Sequence, residues 1–146
     1  MTTRADIVRV VRTYIDTPWH HAGRLPGVGL DCAGIVICAG RELGIWPADF
    51  DVPPYGRNPD GTLLDLCDEH LLRIPRVVML PGDVIVLRPE DEPQHIGILG
   101  DYRHGGLSLI HASNARSVVP ARVIETRLMF ARNQRFVAAF AFPGIE

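Results

Sequence analysis

The hydrophobic pattern of this chain changes period once, and that change constrains the fold more than any other feature. Up to about Leu80 the apolar residues recur at helical spacing, and from Pro81 onward they follow the spacing of strands. Thr3 to Asp16 carries Ile7, Val8, Val10, Val11, Tyr14 and Ile15 between charged residues, which predicts an amphipathic helix with Thr3 as its N-cap. Thr17 to Leu30 is rich in Gly and Pro and reads as a loop. Asp31 then predicts the N-cap of a second helix, Cys32 to about Leu43, closed by Gly44. This helix is apolar on every side until Arg41, so it should be buried. A Pro-rich connection, Ile45 to Pro59, leads to a third helix, Asp60 to about Arg73, carrying Leu63, Leu64, Leu66, Leu71 and Leu72. Beyond Pro81 the runs Asp83–Arg88, Gln94–Gly100, Leu107–Ser113, Ser117–Glu125 and Phe136–Phe142 predict strands separated by turns. Helices followed by an antiparallel meander give an α+β class, with N-terminal helices packed on a central antiparallel sheet of five to six strands.

At 146 residues this is a single domain, 1–146. Its 47% hydrophobic and 22% charged content is globular rather than disordered. A net charge of −2 provides no field for a phosphate backbone, so no nucleic-acid partner is expected. The longest apolar run, Cys32 to Gly40, falls far short of the ~20 residues that span a bilayer, so no membrane insertion is expected. Arg4, Asp6, Arg9 and Arg12 interrupt the first apolar stretch. No signal peptide reads there, and synthesis in the cytoplasm is the expectation.

Three cysteines without a C-x-x-C pair fit neither a zinc ribbon nor a disulfide framework. Cys32 and Cys38 would point to different sides of the second helix, so at least one thiol is free. Cys32 follows the predicted cap, where first-turn N–H groups and the helix dipole favour a thiolate. Ala33 and Gly34 are small enough to let a substrate approach that helix end. The same position also suits a cysteine that merely fills the core. Cys38 and Cys67 lack this setting and read as core or surface residues, and His70 and His104 as solvent-facing.

His95 and His111 lie on neighbouring predicted strands, an even number of residues apart. In any even-sum antiparallel register they share a face, opposite or diagonal, with side chains roughly 5–8 Å apart. A nucleophile needs a base and the base an orienting group; Cys32, His95 and His111 could supply them in that order. Two half-buried histidines satisfied by backbone partners would fit the same pattern. The three could also ligate zinc with an open position, but no locally spaced ligand pair supports this, and neither metal nor cofactor is expected.

Several motifs resemble those of NlpC-type cysteine peptidases. Thr17-Pro18-Trp19-His20-His21-Ala22-Gly23 followed by Gly29-Leu30-Asp31-Cys32-Ala33-Gly34 is similar to their leading loop and D-C-S-G nucleophile turn. Pro81-Gly82-Asp83-Val84-Ile85 resembles their P-G-D strand opening, His95-Ile96-Gly97-Ile98 their H-V-G-I strand, and Ile110-His111-Ala112 their third catalytic strand. The H-x-G-R form, His21-Ala22-Gly23-Arg24, resembles the branch found in bacteriophage tail-assembly clusters.

The resemblance covers nearly the whole chain. It implies a papain-like fold and hydrolysis of peptidoglycan stem peptides, typically between γ-D-glutamate and diaminopimelate. Carried over by position, Cys32 is the nucleophile, His95 the general base and acid, and His111 the residue orienting His95. The Cys32 N–H would help form the oxyanion hole, with Trp19, His20, His21, Asp31 and Ala33 around substrate and oxyanion. Phage tail-tip proteins are the implied partners and the virion the implied location, with action at the cell wall. Trp19 stands where the family often has Tyr, and Ala33 where it usually has Ser. The stretch Ile45 to Leu80 is longer than in compact members and could form a cleft wall or a docking surface. The alternatives are a structural tail-tip component with little or no activity, and a cytoplasmic amidase or acyltransferase on the same scaffold.

Overall fold

The computed structural model describes residues 1–57, 61–89, 94–130 and 134–145. Helix α1 (Arg4–Arg12) starts in a reciprocal cap: the Thr3 hydroxyl accepts the Asp6 N–H and the Asp6 carboxylate accepts the Thr3 N–H. It buries Ile7, Val8, Val10 and Val11, the stripe its spacing predicts. It ends earlier than expected because Asp16, at φ 73°, turns the chain so that its N–H bonds the Val123 carbonyl. Helix α2 (Cys32–Glu42) begins behind Asp31 and is buried from Gly34 to Gly40, as its all-round apolar surface requires. Helix α3 (Thr62–His70) is shorter than the expected Asp60–Arg73. Asp60 lies outside the described residues. At the other end Leu71 is already extended, and the chain enters the sheet as β3 (Leu72–Ile74). Leu71 and Leu72 continue the leucine pattern, so spacing alone ran the helix too far.

Between α1 and α2, β1 (Arg24–Leu25) and β2 (Gly29–Leu30) pair as a small hairpin. The main sheet has six strands, all antiparallel, ordered β3, β8 (Gln134–Ala141), β4 (Val84–Pro89), β5 (His95–Asp101), β6 (Leu107–Ser113) and β7 (Arg122–Arg127). β4 through β7 form the predicted meander. β7 starts at Arg122 rather than at Ser117, because the chain from 117 to 121 turns.

Alternation along the strands builds two cores. Val84, Val86, Ile96, Ile98, Ile110 and Phe140 face the helices and pack with Ile7, Val11 and Ile35. Ile85, Leu87, Leu99 and Leu109 form a smaller cluster on the other face, covered by Met79, Leu107, Leu128 and Phe136. Each fully buried aliphatic side chain is worth about 1.5–3 kcal/mol, so the helix-side core holds most of the stabilisation. Within the main sheet α2 packs on β5 and β6, and it also packs on β1 of the small hairpin. Since β5 begins at His95 and β6 ends at Ser113, the N-terminus of α2, His95 and His111 lie at one end of the sheet. Among the described residues no helix is long and apolar enough to cross a membrane.

Candidate active site

Cys32 is the first residue of α2, partly exposed, while Cys38 and Cys67 are buried. Asp31 caps the helix with Oδ1, which accepts the Gly34 N–H at 2.8 Å, so the cap is not spent on the N–H groups of Cys32 or Ala33. Oδ1 also accepts from Arg24 Nη1 at 3.0 Å. Oδ2 takes the Ala22 N–H at 2.7 Å and the Tyr55 hydroxyl. Arg24 in turn donates to the Tyr55 oxygen at 2.8 Å and pairs with Asp51. A carboxylate 4% exposed is thus held by three separate chain segments.

The whole His21-Ala22-Gly23-Arg24 stretch serves this brace. His21 Nε2 lies 3.2 Å from the Tyr55 carbonyl and its ring stands edge-on to the Tyr55 ring. Ala22 adopts φ 55°, which aims its N–H at Asp31. Gly23 and Gly34 cross without room for a side chain: a Cβ on Gly34 would sit 2.3 Å from the Gly23 carbonyl oxygen. The sequence pointed to no role at all for Tyr55, and to none for Arg24 beyond its place in the H-x-G-R stretch. The H-x-G-R spelling was the available signal for Arg24, whereas Tyr55 reaches Asp31 across 24 positions of irregular chain.

His95 and His111 meet as the strand register requires. β5 and β6 pair Leu99 with Leu109 and Ile98 with Ile110, which makes the two histidines diagonal neighbours. His95 Nε2 lies 2.7 Å from His111 Nδ1, with the rings T-shaped at 4.9 Å. Gly97 makes this approach possible, since a Cβ there would lie 3.2 Å from His111 Cβ and 2.6 Å from a Leu109 methyl. Burial pushes both imidazoles well below their ordinary range, and for His95 the neighbouring His111 adds to the effect. Both are therefore neutral at pH 7, and one N–H can bridge them.

Cys32, Ala33, Asp31, Trp19, His21 and His95 all line one cleft of about 580 Å³. His111 stands behind His95 rather than in the lining. His20 is exposed and does not line the cleft; its Nδ1 faces the His21 carbonyl at 2.9 Å. His70 departs from its solvent-facing expectation, because it is half-buried, lines the cleft and stands edge-on to Phe50. Cys67 is in the cleft wall as well, and burial, with the charges of Asp68 and Cys32, pushes its thiol up to about 12. Cys38 is raised by burial, and its thiol donates to the Arg24 carbonyl at 3.4 Å. Among the described residues no three His, Cys, Asp or Glu side chains are grouped to hold a metal ion.

No family model and no curated protein matches the chain. Solved structures do. The chain is 20% identical to NlpC2 from Trichomonas vaginalis, with a TM-score of 0.67 over 97% of this chain and 47% of that one. NlpC1 from the same organism gives 20% identity and a TM-score of 0.68, over 97% and 45%. The chain therefore spans a little under half of either protein. The NlpC/p60 domain of the peptidoglycan hydrolase SagA matches at 19% identity and a TM-score of 0.62, over 97% of this chain and 100% of that domain. An N-acetylmuramoyl-L-alanine amidase from Bacteroides uniformis matches at 11% identity and a TM-score of 0.59, over 95% and 98%. At these identities the likeness establishes the fold, the NlpC-type α+β arrangement.

Proposed function

We propose that the chain is a cysteine hydrolase of the bacterial cell wall. It would cut an amide in peptidoglycan stem peptides, of the γ-D-glutamyl–diaminopimelate type, as part of a bacteriophage tail tip that opens the wall during genome delivery. The observation that carries the hydrolase reading is a helix-start thiol sharing a cleft with a histidine whose Nε2 is held by a second histidine. The two solved neighbours described as a peptidoglycan hydrolase and a muramoyl-alanine amidase support the wall as substrate. The phage setting rests on the likeness of His21-Ala22-Gly23-Arg24 to the tail-associated branch.

The chemistry selects a tautomer. For His95 to take the Cys32 proton on Nδ1, its Nε2–H must donate to His111 Nδ1, with the His111 proton on Nε2. His111 then holds the ring in place and stabilises the imidazolium that forms. The thiolate adds to the amide carbon, first-turn N–H groups of α2 face the oxyanion, and His95 returns the proton to the leaving amine. Water then cleaves the thioester by the same exchange of roles.

Mass spectrometry of purified sacculi incubated with the protein tests this. Wild-type protein should release muropeptide fragments with new amine and carboxylate ends, and Cys32→Ala should release none while folding normally. Fragments released by Cys32→Ala at the wild-type rate would remove Cys32 from the chemistry. Alkylation near neutral pH should label Cys32 before Cys38 and Cys67. Peptides of the chain in purified virions would support the tail setting.

A further inference from the structure

The cleft is more apolar than a polar stem peptide requires. Trp46, Phe50 and Val52 of the connection and Leu63 and Leu66 of α3 are each half-buried, and all of them line it. Apolar side chains gathered in one concavity beside a reactive residue mark a binding site, whereas scattered ones do not. Around this apolar wall the polar side chains of Asp31, His21 and Gln94 are bonded to the protein itself, while Arg57 and Asn114 add polar groups to the lining. Each Asp31 oxygen already accepts from two partners. His21 faces the Tyr55 carbonyl at 3.2 Å and Gln94 Oε1 accepts the Leu64 N–H at 3.3 Å. At about 580 Å³ the space lies within the range that holds a drug-sized ligand and exceeds what one amino-acid side chain fills.

We propose that this cleft is an acyl-chain site, taking a medium-length aliphatic acyl group with its carbonyl carbon at Cys32. The inference rests on Cys32 as nucleophile and goes beyond stem-peptide cleavage by naming a second class of substrate, an acyl ester or thioester. The Cys32 sulfur bonds to the acyl carbon, the carbon–oxygen or carbon–sulfur bond of the substrate breaks, and the leaving group departs with the electron pair and the proton His95 returns. Water then adds to the enzyme thioester, releasing the carboxylic acid and restoring the thiol.

Two measurements decide it. In a p-nitrophenyl ester series, normalised to alkaline reactivity, kcat/KM should rise roughly threefold to fourfold per methylene and reach at least about 700-fold across the six methylenes from acetate to octanoate. Leu66→Glu, which puts a carboxylate in the apolar wall, should cut the octanoate-to-acetate ratio at least about tenfold. Independently of catalysis, the fluorescence of dansyl-undecanoic acid should rise on mixing with Cys32→Ala, and excess decanoate should reverse it. A flat or falling series together with no fluorescence gain overturns the acyl-chain site. If sacculi are still digested in that case, the hydrolase reading stands without it. If dansyl-undecanoic acid binds while neither esters nor sacculi are cleaved, the site stands as a binding site and the nucleophile assignment fails.

Discussion

Asp31 and Asp83 invite comparison because their chemistry is nearly the same and their consequences differ. Each is a buried carboxylate that follows a glycine-containing loop, accepts a nearby N–H and pairs with an arginine. Asp83 is fully buried; its partners are Arg4 of α1 at 3.1 Å and the Leu80 N–H of its own turn at 2.9 Å. It clasps the first helix to the start of β4, away from the cleft. Asp31 draws its partners from the leading loop, from α2 and from the connection, and it stands one residue before Cys32. The first fastens two elements; the second fixes the direction of a helix end on which chemistry would depend. Bond type does not separate a structural carboxylate from a site carboxylate. What separates them is how many segments converge on it, and where.

The largest expected effect tests that distinction directly. Asp31→Ala leaves the 14%-exposed Arg24 side chain, the Tyr55 hydroxyl and two N–H groups short of an acceptor, and should cost about 3–5 kcal/mol in denaturant unfolding. Under conditions where the variant is still folded, release of muropeptides should fall at least about 100-fold, because the helix end and the thiol lose their bearing. Asp83→Ala should cost less, about 2 kcal/mol, since Arg4 is 31% exposed and can turn to water. Folded Asp83→Ala should digest sacculi at the wild-type rate. Equal losses of turnover in the two variants would break the comparison.

Acid should also separate the two ends of the molecule. The folded His95 and His111 resist protonation, whereas in the unfolded chain they titrate near 6.5. Their pKa values are lowered on folding, so stability is present above pH ~6.5 and is lost as pH falls below it, by about 1 kcal/mol per imidazole per pH unit. Burial raises Asp83, which works the other way at its end of the sheet. Chemical denaturation between pH 7 and pH 5 should show the loss, and His111→Gln should roughly halve its slope. An unchanged slope would assign the acid sensitivity elsewhere. The smallest effect should come from Trp19→Phe. The indole lines the cleft, and if it serves only as wall, turnover should stay within about threefold of wild type. A hundredfold loss with folding intact would make its N–H an oxyanion donor.

What the sequence made legible follows the range of the interactions. The Asp31 cap and the α2 start are local, encoded within four residues, and the structure has them where the spacing placed them. The meeting of His95 and His111 is long-range, but strand period and the parity of their separation reduce it to a two-way choice. Tyr55 had no such handle. It sits in irregular Pro-rich chain where no period projects a side chain, and only the folded path brings its hydroxyl to Asp31. The stretch Ile45 to Leu80 was expected as a cleft wall or a docking surface and does line the cleft, but which side chains do so was not legible, since Trp46, Phe50 and Val52 follow neither helical nor strand spacing. β3 was lost to the opposite error, a leucine series that satisfies a helix while the backbone has already left it.

The position of β8 sets a condition on how such a chain can reach its native state. β8 is the last strand in chain order, yet it lies between β3 and β4 and pairs with both. During synthesis the meander from β4 to β7 can close as soon as it emerges, because its pairings are local. One edge of β4 must wait, however, carrying Ile85 and Leu87 with their backbone groups on offer until residues 134–141 arrive. An intermediate with an open hydrophobic edge in mid-sheet is an invitation to strand exchange between nascent copies. Expression yield should therefore respond more sharply to substitutions in β8 than to equally buried ones in β6, even where equilibrium stabilities match.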